Sequence, residues 1–336
     1  MRKTRVLMPT LVLGIETTAH TFGIGIVDDK GAVLANERES FTTSHGGMIP
    51  WKVAEHHFDR WKSVLDAALA RARVTLRDVG LVAFSQGPGM GHCLRVGSFL
   101  ARCIALKYGT PILGVNHCIA HLSIGQLRTA ARDPVLLYTS GANTQVIAFE
   151  GRKYRVVGET LDMGVGNFLD SVARELGLGF PGGPKLEQLA RKGRKLIELP
   201  YTVKGMDVSF GGLFTNLRQT IRAKRHRAEN LVFSLQETVF AMLVEIAERA
   251  MAHTGKDELL LGGGVACNAR LQEMCRIMCK ERGAAFFVPE NEFLVDNGAM
   301  IAWQGLLEHR AGRKQRLRDT GILPHWRTDQ VAAAWR

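Results

Sequence analysis

Two stretches of this chain each predict three short strands joined by tight turns, and this repetition constrains the fold more than any other feature. In the first half, apolar runs at residues 11–16, 22–27 and 32–37 are separated by polar or glycine-containing turns. In the second half, residues 135–139, 145–149 and 154–159 repeat the pattern. Such runs between turn residues are typical of antiparallel strands. Because helical patterns follow each meander, we predict two duplicated α/β halves.

The size of the chain agrees with two lobes, and its composition predicts a cytoplasmic protein that does not insert into a membrane. It has 336 residues, 46% of them hydrophobic, and a single core rarely grows beyond about 250–300 residues. No apolar run is long enough to span a membrane, and Pro9 interrupts the start before a signal-peptide core develops. The six cysteines show no framework spacing, so we expect reduced thiols.

A net charge of +12 predicts a surface that attracts polyanions. Basic residues concentrate at residues 71–77, at 191–204 together with 218–227, and at 310–318. One such run is equally well explained as a solvated helix face, but three runs favour RNA or DNA contact. Aromatic residues make up only 7% of the chain and do not alternate with the basic ones. This composition favours recognition of phosphates and shape over base stacking.

His117 and His121 are candidate metal ligands, because imidazoles four residues apart on a helix point from one face. The zinc-protease pattern needs a glutamate directly after the first histidine, and this chain has Cys118 there. Tyr138, at the end of a predicted strand, and Asp296, before the last long helix, are candidate oxygen donors. Such a mixed set suits iron or zinc. The alternative is that both histidines are core or capping residues.

Polar turns and glycine-rich loops are candidates for a nucleotide site. The turns at residues 16–18 and 140–144 can aim amides and hydroxyls at phosphate. Loops at 164–167 and 180–184 precede helices that carry Asp170 and Glu187, and residues 262–264 offer close approach to an adenine or its sugar. Ordinary hairpin turns and helix ends explain the same residues. Because no lysine followed by Ser or Thr comes after the glycines, a phosphate-loop fold is disfavoured.

Several motifs, in order along residues 10–306, resemble the family of tRNA threonylcarbamoyladenosine synthases, the catalytic subunit of the KEOPS complex, and its archaeal and eukaryotic cytosolic branch in particular. The motifs that carry the resemblance are Gly14-Ile15-Glu16, Ala19-His20-Thr21, Ala54-Glu55-His56-His57, Gly87-Pro88-Gly89, the His117/His121 pair, Tyr138-Thr139-Ser140-Gly141, Pro181-Gly182-Gly183-Pro184 and Gly262-Gly263-Gly264-Val265-Ala266. The resemblance implies a two-lobed, actin-like α/β fold of the sugar kinase and heat-shock chaperone superfamily (ASKHA), with a nucleotide cleft between duplicated halves. We therefore expect a first lobe at residues 1–132, a second lobe at 133–310 and a basic C-terminal tail at 311–336.

The resemblance also implies roles for single residues. One divalent metal ion, iron or alternatively zinc, would be held by His117, His121, Tyr138 and Asp296. The threonylcarbamoyl portion of the substrate would contact Tyr138, Thr139, Ser140, Gly141 and Ala142, and the nucleotide would contact Asp170, Gly183, Glu187 and Asn268. Ala142 departs from the family pattern, which usually has a second glycine after Ser-Gly. Its methyl group is expected to narrow the approach of the substrate.

The implied activity is that of an acyltransferase. It moves the threonylcarbamoyl group of threonylcarbamoyl-AMP to the exocyclic amine of the adenosine 3′ of the anticodon, in tRNAs that read ANN codons, and releases AMP. No protein nucleophile is expected, and ATP or AMP would occupy the cleft. The resemblance implies partners as well: a small kinase-like ATPase, a dimerising subunit and a further tRNA-binding subunit. The alternatives are a metallopeptidase, suggested by the histidine pair, and a nucleotide-gated binding protein of the heat-shock chaperone type without group transfer.

Overall fold

The structure is a computed structural model that describes residues 11–44 and 47–336; the predictions made for the first ten residues lie outside this range. Its strands are β1 (Leu11–Glu16), β2 (Thr21–Asp28), β3 (Val33–Ser40), β4 (Leu81–Gly87), β5 (Ile112–Asn116), β6 (Val135–Thr139), β7 (Thr144–Glu150), β8 (Lys153–Glu159), β9 (Val203–Lys204), β10 (Asp207–Val208), β11 (Glu258–Gly262) and β12 (Ala285–Phe287). Its α-helices are α1 (Pro50–Ala72), α2 (Gly91–Tyr108), α3 (His117–Arg128), α4 (Val165–Glu175), α5 (Gly183–Ala190), α6 (Gly211–Ala223), α7 (Ala228–Thr254), α8 (Ala269–Arg282), α9 (Asn291–Leu294) and α10 (Gly298–Arg310).

The chain divides into two compact units. The first unit comprises Met1–Phe41, Ile49–Leu127 and Asp296–Arg336, and the second comprises Thr42–Met48 and Arg128–Val295. The first sheet has the order β3-β2-β1-β4-β5, with the meander antiparallel and β4 and β5 parallel to β1. The second sheet, ordered β8-β7-β6-β11-β12, has the same directions. Both predicted meanders and the duplication are therefore confirmed.

Helices cover both faces of the first sheet, and successive residues of a strand point to opposite faces. Leu13 and Ile15 of β1 join a core with the apolar faces of α1 and α2. Gly14, between them, lies under α10, and a Cβ there would come closer than 3.0 Å to backbone atoms of Gly298 and Ala302. Only glycine allows the helix backbone to lie this close to the sheet.

The core of the second unit is built around α7, which is the most apolar of its helices. Leu235, Val239 and Leu243 of α7 pack with strand residues such as Val135 and Leu261. Among the described residues, α7 is the one helix that is long and apolar enough to cross a membrane, but 61% of its apolar window is buried inside the fold. Its apolar composition is thus explained by packing on several sides.

The predicted boundaries of the lobes and the predicted C-terminal tail need correction. Residues 133–310 do not form one unit, because α10 packs on β1 and β2 of the first sheet. Residues 311–336 are not a loose tail: they pack on the first unit, with Thr320 and Thr328 almost completely buried. Local sequence patterns do not indicate either packing, since both join residues far apart in the chain.

Candidate metal centre and glycine-rich loops

Helix α3 follows β5 directly, and this junction fixes the position of His117. The Asn116 side-chain Oδ1 accepts hydrogen bonds from the Cys118 amide at 3.0 Å and the Ile119 amide at 3.2 Å. These are the free amides of a first helical turn, so Asn116 is the N-cap. Residues 117–125 of the helix are all buried. His117 and His121 thus occupy successive turns of a helix that has little freedom to move.

The structure brings His117, His121 and Asp296 together. One ligand atom of each lies within 4.8 Å of the others. The Nε2 atoms of His117 and His121 lie 3.4 Å and 3.3 Å from Asp296 Oδ1. Asp296 is held next to α10 because the following residue, Asn297, caps that helix by accepting from the Met300 amide at 2.9 Å. Two imidazole nitrogens and a carboxylate oxygen that converge in a buried place are a donor set typical of iron or zinc.

Glu16, at the end of β1, orients His117 from its other side. The Nδ1–H of His117 donates to Glu16 Oε2 at 3.0 Å, and Glu16 Oε1 accepts from the Thr18 amide and hydroxyl at 2.6 Å and 2.5 Å. A carboxylate can only accept, so it keeps the proton on Nδ1 and leaves the Nε2 lone pair for an ion. The sequence suggests residues 16–18 as a phosphate turn, and the role of Glu16 toward His117 was missed. An acidic residue ending a buried strand was the available signal.

The electrostatics of the cluster favour a bound cation. Burial lowers the pKa of His117, but the nearby Glu16 and Asp296 carboxylates outweigh it and raise that pKa well above the ordinary value. Burial opposes ionisation of Asp296, yet the two imidazoles hold its pKa well below the ordinary value. Burial also lowers the pKa of His121. The buried Glu16 carboxylate and the partly buried Asp296 carboxylate require a compensating positive charge, which a proton on His117 or a divalent ion supplies. The residues present therefore fit a metal ion.

Tyr138 and the turn that follows it lie in the second unit. Tyr138 is fully buried at the end of β6. Its ligation of an ion bound in the first unit stays a prediction. The turn after it is closed by Ser140, whose amide and hydroxyl donate to Asn143 O at 2.9 Å and 3.0 Å. Gly141 and Ala142 are exposed at its tip, and Thr139 Oγ1 donates to Gly262 O at 3.3 Å. The tip of the turn is therefore open to a ligand.

Two glycine-rich loops of the second unit, at residues 164–167 and 262–264, meet at the turn of residues 140–143. A Cβ at Gly164 or Gly166 would come closer than 3.0 Å to the backbone of Gly141, and a Cβ at Gly263 would come equally close to Thr139 O. Gly263 also has a φ of 90°, which favours glycine. The predicted loops at residues 164–167 and 262–264 therefore form one rim with residues 139–142. Their glycines are explained by backbone packing within the rim.

The four predicted nucleotide residues occupy two places in the second unit. Asp170 Oδ1 accepts from the Gly182 amide at 2.7 Å, directly before Gly183. Asn268 caps α8 and its Nδ2 donates to Gln236 Oε1 at 3.1 Å, while the Ala269 amide lies 3.4 Å from Glu187 Oε1. A cavity of about 340 Å³ opens beside this second place, and its lining includes Glu187, Arg191, Phe233, Gln236, Ala269 and Arg270.

Comparison with known proteins decides the family. The model of one family, tRNA N6-adenosine threonylcarbamoyltransferase, matches residues 32–303. This protein belongs to that family. The threonylcarbamoyltransferase of Thermococcus kodakarensis is 55% identical over 97% of this chain and 99% of its own length. That of Thermococcus gammatolerans is 54% identical over the same shares.

Solved structures of more distant proteins support the fold of this threonylcarbamoyltransferase family member. HypF from T. kodakarensis gives a TM-score of 0.61 at 15% identity over 88% of this chain and 47% of that protein. Component A of (R)-2-hydroxyglutaryl-CoA dehydratase from Acidaminococcus fermentans gives 0.55 at 14% identity over 90% and 99%. At these identities the likeness concerns the fold alone. It confirms the predicted actin-like α/β class.

Proposed function

We propose that this protein transfers the threonylcarbamoyl group of threonylcarbamoyl-AMP to N6 of the adenosine 3′ of the anticodon, in tRNAs that read ANN codons. The family and relatives 54–55% identical over nearly the whole chain support this acyl transfer. The observation that carries its mechanism is the convergence of the buried His117 and His121 with the partly buried Asp296. A metallopeptidase is not favoured, because Cys118 stands where the general base would be and Glu16 faces the opposite nitrogen of His117. A binding protein without transfer is not favoured by the family.

The reaction exchanges one bond to a carbonyl carbon for another. N6 of the adenosine forms a bond to the carbamoyl carbon, the bond from that carbon to the AMP phosphate oxygen breaks, and one N6 proton is released. AMP leaves as an anion. No side-chain nucleophile is needed, and burial raises the pKa of the Cys118 thiol next to His117, which keeps it protonated. Catalysis then rests on orientation and on stabilising developing charge.

The metal centre would hold one divalent ion through His117, His121, Asp296 and, as a fourth ligand, Tyr138. Iron is the ion we expect and zinc is the alternative, because both accept nitrogen and oxygen donors. When bound, such an ion supplies Lewis-acid stabilisation of an oxyanion. Glu16 holds His117 in the ligating tautomer, and the buried helix α3 keeps both imidazoles in place. These residues act by orienting groups, so the proton acceptor for N6 is left to solvent or substrate.

The second unit would bind the two ends of the substrate. Residues Thr139, Ser140, Gly141 and Ala142, with Tyr138, are proposed for the threonylcarbamoyl portion because the tip of their turn is exposed. Asp170, Gly183, Glu187 and Asn268 are proposed for the nucleotide, ATP or AMP. The cavity beside Glu187 has a volume of about 340 Å³, which lies in the range of small-molecule sites.

We propose that tRNA contacts the middle basic group, which consists of Arg222, Lys224, Arg225 and Arg227. Lys224 and Arg225, at the end of α6, are exposed, while Arg222 and Arg227 make longer ion pairs, at 3.7 Å with Glu175 and at 3.5 Å with Glu229. In the run at residues 310–318, by contrast, Arg313 pairs with the buried Glu308, and Arg316 pairs with Asp319 at 2.7 Å. Charges that are already paired attract phosphate less. We also propose a cytoplasmic location and assembly with the KEOPS partners: the kinase-like ATPase, the dimerising subunit and the tRNA-binding subunit.

A nucleoside assay tests this function together with the metal centre. Purified protein, its partner subunits and the enzyme that makes threonylcarbamoyl-AMP are incubated with tRNA, threonine, bicarbonate and ATP, and digested tRNA is analysed by mass spectrometry. The variant His117→Ala should lose both the ion and the modified adenosine while staying folded. The matched variant His253→Ala, at an exposed position in the last turn of α7, should retain both. Full modification by ion-free His117→Ala protein would reject the role of the metal.

A further inference from the structure

The last residues of the chain form an ordered segment of the first unit, which we call the C-terminal strap (residues 315–336). It has little regular structure: the 3₁₀ turns Leu317–Asp319 and Thr328–Gln330 and a β-bridge residue at Ala332. Thr320 and Thr328 in it are nevertheless 0% and 1% exposed. A segment of irregular backbone is buried only when its polar groups find partners. Its partners lie at the end of β4, at the start of α3 and in the loop between β4 and α2.

Part of the strap lies along the end of β4. The Leu323 amide donates to Gln86 O at 2.8 Å, and Gln86 Nε2 donates to Gly321 O at 2.6 Å. Gly87 follows with a φ of 155°, and a Cβ there would come closer than 3.0 Å to Leu323 O. Glycine is therefore required for the strap to approach this edge.

The next part of the strap contacts the first turn of the metal helix. Asn116 Nδ2 donates to Trp326 O at 3.3 Å, while its Oδ1 caps α3. One residue after His117, the Cys118 thiol has a hydrogen bond with the Thr328 side chain. Asn116 is completely buried. The Asn116 amide and the Cys118–Thr328 hydrogen bond thus tie the strap to the turn that begins with His117.

The strap also contacts the loop that holds Thr18. The Gly89 amide donates to Pro324 O at 3.2 Å, and the Met90 amide donates to Thr18 O at 2.8 Å. Thr18 Oγ1 lies 3.2 Å from His117 Nδ1. The strap therefore contacts the helix turn of His117 directly, and it is linked to the Glu16–Thr18 segment through Gly89 and Met90.

We infer that the C-terminal strap positions His117 for metal binding, and that Asn116 is the positioning residue that transmits its effect. The inference rests on the metal centre of the proposed function. Without the bond to Trp326 O, the first turn of α3 keeps its cap and the Cys118–Thr328 contact, but Asn116 no longer holds it to the strap. His117 can then rotate away from the position that converges with His121 and Asp296. Removal of an outer-sphere partner of this kind typically costs about 10–100-fold in metal affinity.

The test compares two full-length variants loaded with Co²⁺, whose visible absorption reports its coordination. Asn116→Ser retains a capping oxygen but is too short to reach Trp326 O. Thr320→Val is the matched control: it removes a buried strap hydroxyl that accepts from Arg102 Nε at 2.7 Å, on α2. We expect Co²⁺ affinity about tenfold weaker and an altered spectrum for Asn116→Ser, and wild-type affinity and spectrum for Thr320→Val, even if both lose thermal stability.

The outcomes separate this inference from the function on which it rests. Wild-type affinity and spectrum in Asn116→Ser, or an equal loss of affinity in both variants, would overturn the positioning role while leaving the metal centre in place. No Co²⁺ binding by the wild-type protein would overturn the metal centre itself. If Asn116→Ser does not fold, Thr328→Val replaces it, because this variant removes only the hydroxyl next to Cys118. We expect the same weakening of Co²⁺ affinity in Thr328→Val. Wild-type Co²⁺ affinity in that variant would refute the positioning role of the strap.

Discussion

The variant Glu16→Gln tests how the metal centre is organised. The Glu16 carboxylate accepts three hydrogen bonds, one from His117 Nδ1 at 3.0 Å and two from Thr18 at 2.6 Å and 2.5 Å. A glutamine has one oxygen for these two partners. If that oxygen faces Thr18, the NH₂ group faces Nδ1 and forces the His117 proton onto Nε2, the atom that would bind the ion. If it faces His117, the NH₂ group opposes the Thr18 amide, and the carboxylate charge is lost either way.

We therefore expect Glu16→Gln to weaken Zn²⁺ or Co²⁺ binding about 10–100-fold, which is about 1.4–2.7 kcal/mol. A competition titration with a chelator of known affinity measures this change, and circular dichroism checks that the fold is retained. The control is Glu39→Gln, which makes the same chemical change at an exposed position at the end of β3. Wild-type metal affinity in a folded Glu16→Gln protein would refute the argument that a carboxylate fixes the tautomer of His117.

Three further predictions concern packing, pH and tRNA. Gly14→Ala should lower the free energy of unfolding by about 3 kcal/mol or more, because a Cβ there meets the backbone of α10. The control Gly212→Ala, where nothing lies within 4 Å of the added Cβ, should be neutral or raise that free energy by up to about 1 kcal/mol. Urea unfolding measures both changes, and equal stability of the two variants would contradict the packing argument. Burial lowers the pKa of His57 to about 4, so the unfolded state binds the proton first as pH falls below about 6.5; stability should drop by about 3 kcal/mol towards pH 4, and an unchanged slope in His57→Asn would contradict this. Neutral replacements of Arg222, Lys224, Arg225 and Arg227 should weaken tRNA binding. The slope of the logarithm of tRNA affinity against the logarithm of salt concentration should become shallower by about 0.9 for each phosphate that the protein no longer neutralises. An unchanged slope would exclude this basic group as the tRNA contact.

Local patterns predicted the elements that carry the centre. The spacing of His117 and His121 requires only one helix, and Asn116 is a residue type that caps helices, so both could be recognised from the sequence. The two meanders likewise depend on alternation and turn residues within short stretches. The repetition of the meander made the duplication predictable as well, whereas the pairing of β11 with β6, which joins Leu259 to Val135, has no local pattern.

Pairings between distant parts of the chain were not predictable in this way. Glu16 meets His117 across 101 positions of sequence, and Asn116 meets Trp326 across 210. Neither pair has a local pattern that joins its members. The many basic side chains and few apolar runs of the C-terminal residues favour a tail on composition alone. Their burial depends on hydrogen bonds to the ends of β4 and β5, which composition does not reveal.

A single-turnover reaction with preformed threonylcarbamoyl-AMP tests the central claim most directly. The metal-loaded protein, its partner subunits and unmodified tRNA are mixed with the adenylate in the absence of threonine and bicarbonate, and N6-threonylcarbamoyladenosine and AMP are quantified together. We predict that the two products appear in equal amounts at equal rates and that His117→Ala protein forms no modified adenosine. Release of AMP without modified adenosine by the metal-loaded wild-type protein would contradict transfer at this centre.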